Sequence, residues 1–178
     1  PQATPKPAPV PAVLAPVVTP GLADTLSPLT NMRRAIAAHM VMSKRVSPHV
    51  TTVFEFDFST ISKHREAHKA AFARDGANLT FTAYLVAATA QALKVHPLVN
   101  SSWSDDGVIL RRSVNVGLAA AIEDGLIVPV IKDADNYNLL GLARVVNDLT
   151  NRARNKQLKP GEVQGGTFTI TNHGVSGS

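Results

Sequence analysis

The 178 residues contain no cysteine. That excludes a disulfide scaffold, a thiolate nucleophile supplied by the chain itself, and any cysteine-ligated metal centre. It says little about redox compartment. No apolar run approaches the roughly 20 residues that a membrane-spanning helix needs, so neither a spanning segment nor a membrane partner is expected. Aromatic residues are few, with six Phe, two Tyr and one Trp. Charged residues are also sparse at 17%, and 18 Lys and Arg against 13 Asp and Glu leave a formal charge of +5. The basic residues are scattered over Lys44, Arg45, Arg111, Arg112 and the stretch from Arg152 to Lys159. No recognition helix, zinc finger or aromatic ribonucleoprotein signature accompanies them, so nucleic acid is not an expected partner. The positive charge suits a polyphosphorylated ligand or acidic partner domains better.

What the chain does have is 44% hydrophobic residues, enough for a real core in one domain with a tail. Residues 1–27 are a different material from the rest. Pro1, Pro5, Pro7, Pro9, Pro11, Pro16 and Pro20 alternate with Ala, Val and Thr, and Lys6 and Asp24 are the only charges. Proline at this density removes amide donors and fixes φ, which leaves an extended, semi-stiff arm joining domains. The globular part is expected over residues 28–178. The opening on Pro1, without an initiator Met or a leader pattern, suggests a piece of something longer.

Hydrophobic spacing divides the globular part into alternating elements. Thr30 or Asn31 caps a helix to about Arg45, with Met32, Ile36 and Met40 at helical spacing. Val50 to Phe58 reads as a strand, with Phe54, Phe56 and Phe58 on one face. Ser59 or Thr60 opens a helix to Arg74. Thr80 caps another, apolar nearly all round and therefore central, which Pro97 ends. A hairpin follows over residues 101–111, then strands at 114–122 and 126–131 joined at Asp124-Gly125. Pro129 marks the second of these as an edge strand or one ending in a bulge. An amphipathic helix over 138–155 and a strand over 167–171 complete the series. The class is α/β with a mixed β-sheet flanked by helices.

Residue spacing alone yields no catalytic constellation. His64 and His68 are i, i+4 on one helix, which is metal-ligand spacing. The zinc-protease pattern needs Glu directly after the first His, but Arg65 stands there; its charge opposes a cation, and no third ligand is marked. Two solvated histidines, and no metal, is the expectation. There is no Gly-x-Ser-x-Gly elbow and no phosphate-binding Gly-rich loop ending in Lys-Ser/Thr. Asp105-Asp106 and Glu123-Asp124 each precede a glycine and read as turns.

An ordered series of motifs adds a resemblance. Pro28-Leu29-Thr30-Asn31-Met32-Arg33-Arg34-Ala35-Ile36-Ala37-Ala38-His39-Met40 is followed by Ser43 and Pro48-His49-Val50-Thr51. Val116-Gly117-Leu118-Ala119 and Gly125-Leu126-Ile127-Val128-Pro129-Val130-Ile131 come next, then Gly165-Gly166-Thr167-Phe168-Thr169-Ile170-Thr171-Asn172. Together they resemble the acyltransferase catalytic domain of 2-oxoacid dehydrogenase complexes over residues 28–178. The resemblance implies a fold like chloramphenicol acetyltransferase, assembled as homotrimers that build a larger core. It implies acyl transfer between the thiols of a dihydrolipoyl group and coenzyme A, both acting as substrates. The lipoyl group would sit on a separate domain tethered by the Ala-Pro arm. The dehydrogenase and dihydrolipoamide dehydrogenase components would be partners. The location would be cytoplasm in a bacterium or mitochondrial matrix in a eukaryote.

Carried onto this chain, the resemblance makes Thr171 the hydroxyl that stabilises the tetrahedral oxyanion. It makes Arg65, Thr80 and Asn172 contacts to coenzyme A, although capping alone would explain Thr80. One departure stands out. The family's general base lies in a His-x-x-x-Asp-Gly motif near its C-terminus, and none of the six histidines here has that context. His173 is near Thr171 but is not that base. The expectation is therefore a catalytic domain lacking its C-terminal part and inactive alone. The alternative is a non-catalytic structural core protein of the same complex.

Overall fold

The structure, a computed structural model, describes residues 18–122 and 125–172. Most of the expected linker, the Glu123-Asp124 turn and His173 lie outside the described residues. The first helix, α1 (Asn31–Val46), starts where Thr30 accepts the Arg33 N–H at 3.2 Å and ends at Ser47, before Pro48. In α2 (Ser59–Arg74) the first amide is taken by Asp57, whose Oδ1 lies 2.8 Å from the Ser59 nitrogen. The Ser59 side chain first, and then this backbone bond, hold the Asp57 carboxyl below its usual pKa. Gly76, at φ 74°, turns the chain out of α2 toward α3 (Phe81–Val95).

The hairpin appears as β1 (Ser101–Ser104) and β2 (Gly107–Leu110), paired antiparallel. Beyond it, β3 (Val116–Leu118) is the middle strand of a three-stranded mixed sheet. On one side β6 (Val130–Ile131) runs antiparallel to it; on the other β7 (Phe168–Ile170) runs parallel. Gly117 is what lets these strands close up, since a Cβ there would stand 2.9 Å from Val128 Cγ1 and 3.2 Å from Thr169 Oγ1. The helix α4 (Leu139–Arg154) begins at Asn138, whose Oδ1 accepts the Gly141 N–H at 2.8 Å.

The core lies where α3 and α4 meet this sheet. Val86, Ala90 and Leu93 from α3 pack with Leu142, Val146 and Leu149 from α4 over Val116, Leu118 and Ile131. Each large side chain buried in this way stabilises the fold by about 1.5–3 kcal/mol. A smaller cluster of Ala77, Leu79, Ala83 and Ala143 extends it toward α2. The mixed sheet with flanking helices and the central position of α3 agree with the sequence reading.

Three expected strands take a different form. Residues 50–58 form none: no strand among the described residues pairs with them, and Val50, Val53, Phe54 and Phe56 are exposed. Alternation marks a strand's faces but does not supply the ladder partner that makes it one. The segment expected at 114–122 splits into β3 and β4 (Ala120–Ile122). The one expected at 126–131 splits into β5 (Gly125–Ile127) and β6. Pro129 explains both breaks. It has no N–H to give the ladder, although its carbonyl still accepts from Leu118 N at 2.8 Å. On its far side β4 and β5 pair with each other as a separate hairpin, while β6 stays on the sheet's edge, as the proline predicts.

Candidate functional site

A cleft of about 550 Å³ opens between the start of α3, the second half of α4 and the β3–β4 junction. Asn78, Thr80 and Thr82 line one side; Asn147, Thr150, Asn151 and Arg154 line another; Leu118 to Ala121 form the floor, and Asn172 closes one end. Among the described residues the polar lining is hydroxyls, amides and one guanidinium, without histidine or carboxylate, and Val146 adds to the apolar part.

The segment carrying Thr80 is held from both sides. From α4, Asn147 accepts the Asn78 N–H at 2.6 Å and donates to the Asn78 carbonyl at 3.1 Å, while Arg144 donates to the Asp75 carbonyl at 2.7 Å. From α2, Arg65 Nε donates to the Leu79 carbonyl at 2.7 Å, and its guanidinium lies 4.9 Å over the Phe81 ring. Thr80 occupies the N-cap position of α3, but its side chain makes no capping bond, and its buried Oγ1 has no hydrogen-bond partner among the described residues. Capping therefore does not account for this hydroxyl. Left unpaired, such a group costs about 1–3 kcal/mol.

The end of β7 is aligned by Asn115, just before β3. Asn115 N–H donates to Thr167 Oγ1 at 3.1 Å, its Nδ2 donates to the Gly165 carbonyl at 2.9 Å, and its Oδ1 accepts the Asp133 N–H at 2.9 Å. Gly165, at φ 73°, makes the tight entry, and Lys132 Nζ donates to the neighbouring Gln164 carbonyl. With β7 in register, Ala119 N–H donates to the Ile170 carbonyl at 3.0 Å, so Thr171 and Asn172 leave the sheet beside the cleft floor. Along this strand the Thr167 hydroxyl is committed to Asn115, whereas Thr169 and Thr171 are exposed.

The structure thus brings Thr80 and Asn172 into one cleft, with Thr171 next to it in the chain. Arg65 lies outside the lining, against the backbone just before Thr80. Sequence reasoning missed Asn115, Asn147 and Arg154. An isolated asparagine or a helix-end arginine carries no spacing signal of its own, and only a fold shows what it reaches. Among the described residues no three His, Asp or Glu side chains gather as a metal cluster, and no helix is long and apolar enough to cross a membrane.

Comparison with known proteins bears on this arrangement. Residues 22–178 match the family described as 2-oxoacid dehydrogenases acyltransferase (catalytic domain). The lipoamide acyltransferase component of the branched-chain alpha-keto acid dehydrogenase complex of Bacillus subtilis is 42% identical over 156 residues, covering 87% of this chain and 37% of that protein. The dihydrolipoyllysine-residue acetyltransferase component of the pyruvate dehydrogenase complex of the same bacterium is 40% identical, with 86% and 35% covered. The chain spans little more than a third of the length of these relatives. Among solved structures, a probable dihydrolipoamide acetyltransferase of Listeria monocytogenes superposes with a TM-score of 0.84 at 39% identity, over 89% of this chain and 68% of that one. The dihydrolipoamide acetyltransferase of Azotobacter vinelandii does so with a TM-score of 0.86 at 33% identity, over 91% and 69%.

Proposed function

Because the chain belongs to the family of 2-oxoacid dehydrogenase acyltransferase catalytic domains, we propose that it forms the N-terminal and central part of such a domain. The domain moves an acyl group between the thiols of dihydrolipoyl and coenzyme A. The observation that carries this reading is the cleft in which the unspent Thr80 hydroxyl and Asn172 meet beside Thr171.

In the reaction one carrier's thiolate attacks the thioester carbonyl of the other. A carbon–sulfur bond forms, the carbonyl oxygen takes the negative charge, and collapse expels the second thiolate. Thr171 donates its hydroxyl to that oxygen, where a preformed donor gains most because the charge develops only in the transition state. Thr80 and Asn172 hold the coenzyme A arm. Arg65 is tied to Leu79 through Nε, and its two Nη groups serve a coenzyme A phosphate. The attacking thiol must also lose a proton, and no described residue lining the cleft is a histidine or carboxylate that would take it.

The same reading assigns the lipoyl group to a separate domain, the dehydrogenase and dihydrolipoamide dehydrogenase components as partners, and the bacterial cytoplasm as location, since the relatives named here are bacterial. It assigns the exposed apolar residues of α1, among them Met40, Val41, Met42 and Val46, to association of copies as a homotrimer within a larger core. A second reading, a non-catalytic core protein, is favoured by one observation: among the described residues lining the cleft there is no histidine or carboxylate.

The test uses Thr171→Ala in a protein carrying these residues together with a His-x-x-x-Asp-Gly segment, assayed with acyl-coenzyme A and dihydrolipoamide. A fall in kcat of about 10²–10³-fold with KM nearly kept is expected. Unchanged kcat removes Thr171 from the chemistry. Absence of turnover in the parent protein supports the core-protein reading.

A further inference from the structure

We propose that Asn115, just before β3, is the positioning residue for Thr171: its side chain selects the register of β7 that the strand's own sequence leaves open. The link to Thr171 rests on the catalytic role given to that hydroxyl above; the register does not.

The strand β7 and its flanks alternate with period 2. Phe168 and Ile170 pack against the core, and Thr167, Thr169 and Thr171 fall on the other face. A slip of one residue is excluded, because it would expose both apolar side chains and turn the threonines inward. A slip of two residues keeps the faces. Threonine then replaces threonine, and one of the two apolar places stays filled, with Gly166 or Asn172 in the other. The ladders are also short, since β3 pairs only Val116 to Leu118 with β7 and only Val116 and Gly117 with β6. A two-residue slip would carry Thr171 about 6.6 Å along the strand.

Asn115 supplies what the pattern lacks. Its Oδ1 accepts the Asp133 N–H at 2.9 Å, and its Nδ2 donates to the Gly165 carbonyl at 2.9 Å. Both partners stand at left-handed bends, Asp133 at φ 46° after β6 and Gly165 at φ 73° before β7. One amide thus ties together the two strands that flank β3, at bends just beyond the paired residues. The Asn115 backbone adds two bonds to Thr167, giving its N–H to Oγ1 at 3.1 Å and accepting the Thr167 N–H at 2.8 Å. A slipped β7 moves Gly165 and Thr167 away together, so it forfeits all three of the bonds Asn115 makes to this segment.

The register so chosen sets Thr169 against Gly117, where a Cβ would stand 3.2 Å from the Thr169 Oγ1. It closes at Ile170, whose carbonyl accepts the Ala119 N–H at 3.0 Å, and leaves Thr171 next in the chain, beside Asn172 in the cleft. Asn115 itself does not line the cleft, so its influence on Thr171 runs through the backbone of β7.

The test reads register and reaction separately. In the 178-residue chain with labelled threonine methyls, nuclear Overhauser contacts should join Gly117 to Thr169 and to no other threonine of the strand. In Asn115→Ala, contacts from Gly117 to Thr167 or Thr171 should appear beside them. In a protein that also carries a His-x-x-x-Asp-Gly segment, Asn115→Ala should lower kcat by about 10–10²-fold with KM for coenzyme A nearly kept. Added to Thr171→Ala, it should lower kcat no further, since the hydroxyl it places is already gone. Asn115→Asp keeps the bond from Asp133 and loses the one to Gly165, so it should fall between the parent and Asn115→Ala. It also takes over the test if the alanine variant fails to fold. Gly117 contacts confined to Thr169 in both variants overturn the register role. Losses that multiply in the double variant overturn the link to Thr171. A Thr171→Ala protein as fast as its parent withdraws the catalytic role of Thr171 and the link with it, while the Gly117 contacts still decide the register.

Discussion

The two ends of the described chain solve different problems with the same kind of sequence. Among the described residues the buried apolar side chains all fall between Ala77 and Ala153, where α3, α4 and the sheet share one core. Over α1 and α2 not one residue is buried. Both regions carry helical apolar spacing, and both have sound caps or starts. The difference is that α4 finds α3 and β3 within its own chain, whereas Met40 and Val41 of α1 meet no apolar neighbour that buries them. In the first turns of α1, Met32 and Ile36 lie near Gly125. Amphipathic spacing therefore states that a face must be covered; it does not state by what.

The strongest way to break this contrast is to truncate one side chain in each region. Leu142, fully buried between α3 and the sheet, should cost about 2–5 kcal/mol when changed to Ala, read by urea unfolding. Met40→Ala on α1 should move the same unfolding curve by no more than about 0.5 kcal/mol. If the α1 face is covered by further copies, Met40→Glu should instead lower the mass seen by light scattering. A Met40→Ala cost equal to that of Leu142→Ala would show that α1 belongs to the same folding unit as the core.

The same contrast explains what could be read from sequence. All four helices were legible, because capping residues and period 3.6 are local: Thr30 and Asn138 bond as caps, and Pro48 stops α1. Strands were legible only where the ladder stayed inside the chain, as in β1–β2 and β3–β7. Residues 50–58 have the alternation but no partner backbone among the described residues, and Pro129 divided two strands whose apolar pattern runs on without a break. At the site, Thr80, Thr171 and Asn172 were legible only through motifs, and the fold put Thr80 and Asn172 on one cleft. Asn115 and Asn147 could not be found in advance, because each works through backbone groups far away in the chain.

Asn147 offers a sharper and smaller test of how far the core's order extends toward the α2 side. Its amide makes both bonds to Asn78, an exposed position, so water can replace part of what is lost. Asn147→Ala should cost about 1 kcal/mol. It should also loosen the segment that carries Thr80, seen as faster amide exchange at Asn78 than at Leu93 in the core. Equal exchange at both positions would mean the segment is held by Arg65 and Arg144 without help from Asn147.

The smallest expected effect lies at the far end of α4, where Arg152 donates to Glu162 at 2.6 and 2.7 Å and to Asp148 at 2.7 Å. The Arg152 bonds, with the Lys159 N–H as second donor, lower the Glu162 pKa from 4.5 to about 2. A carboxyl whose folded pKa is depressed adds stability above its unfolded pKa and loses it as the folded value is approached. The contribution of Glu162 is thus complete above pH 4.5 and fades toward pH 2. The group is half-buried and still reached by solvent, so the effect is modest and shrinks with salt. Glu162→Gln should flatten the acid limb of the stability profile across that window and leave stability at pH 4.5 slightly lower. Leu142→Ala should instead lower the whole profile without changing its slope. An acid limb that stays as steep in Glu162→Gln would assign the pH dependence to other carboxylates, and α4 would then be held at this end by packing alone.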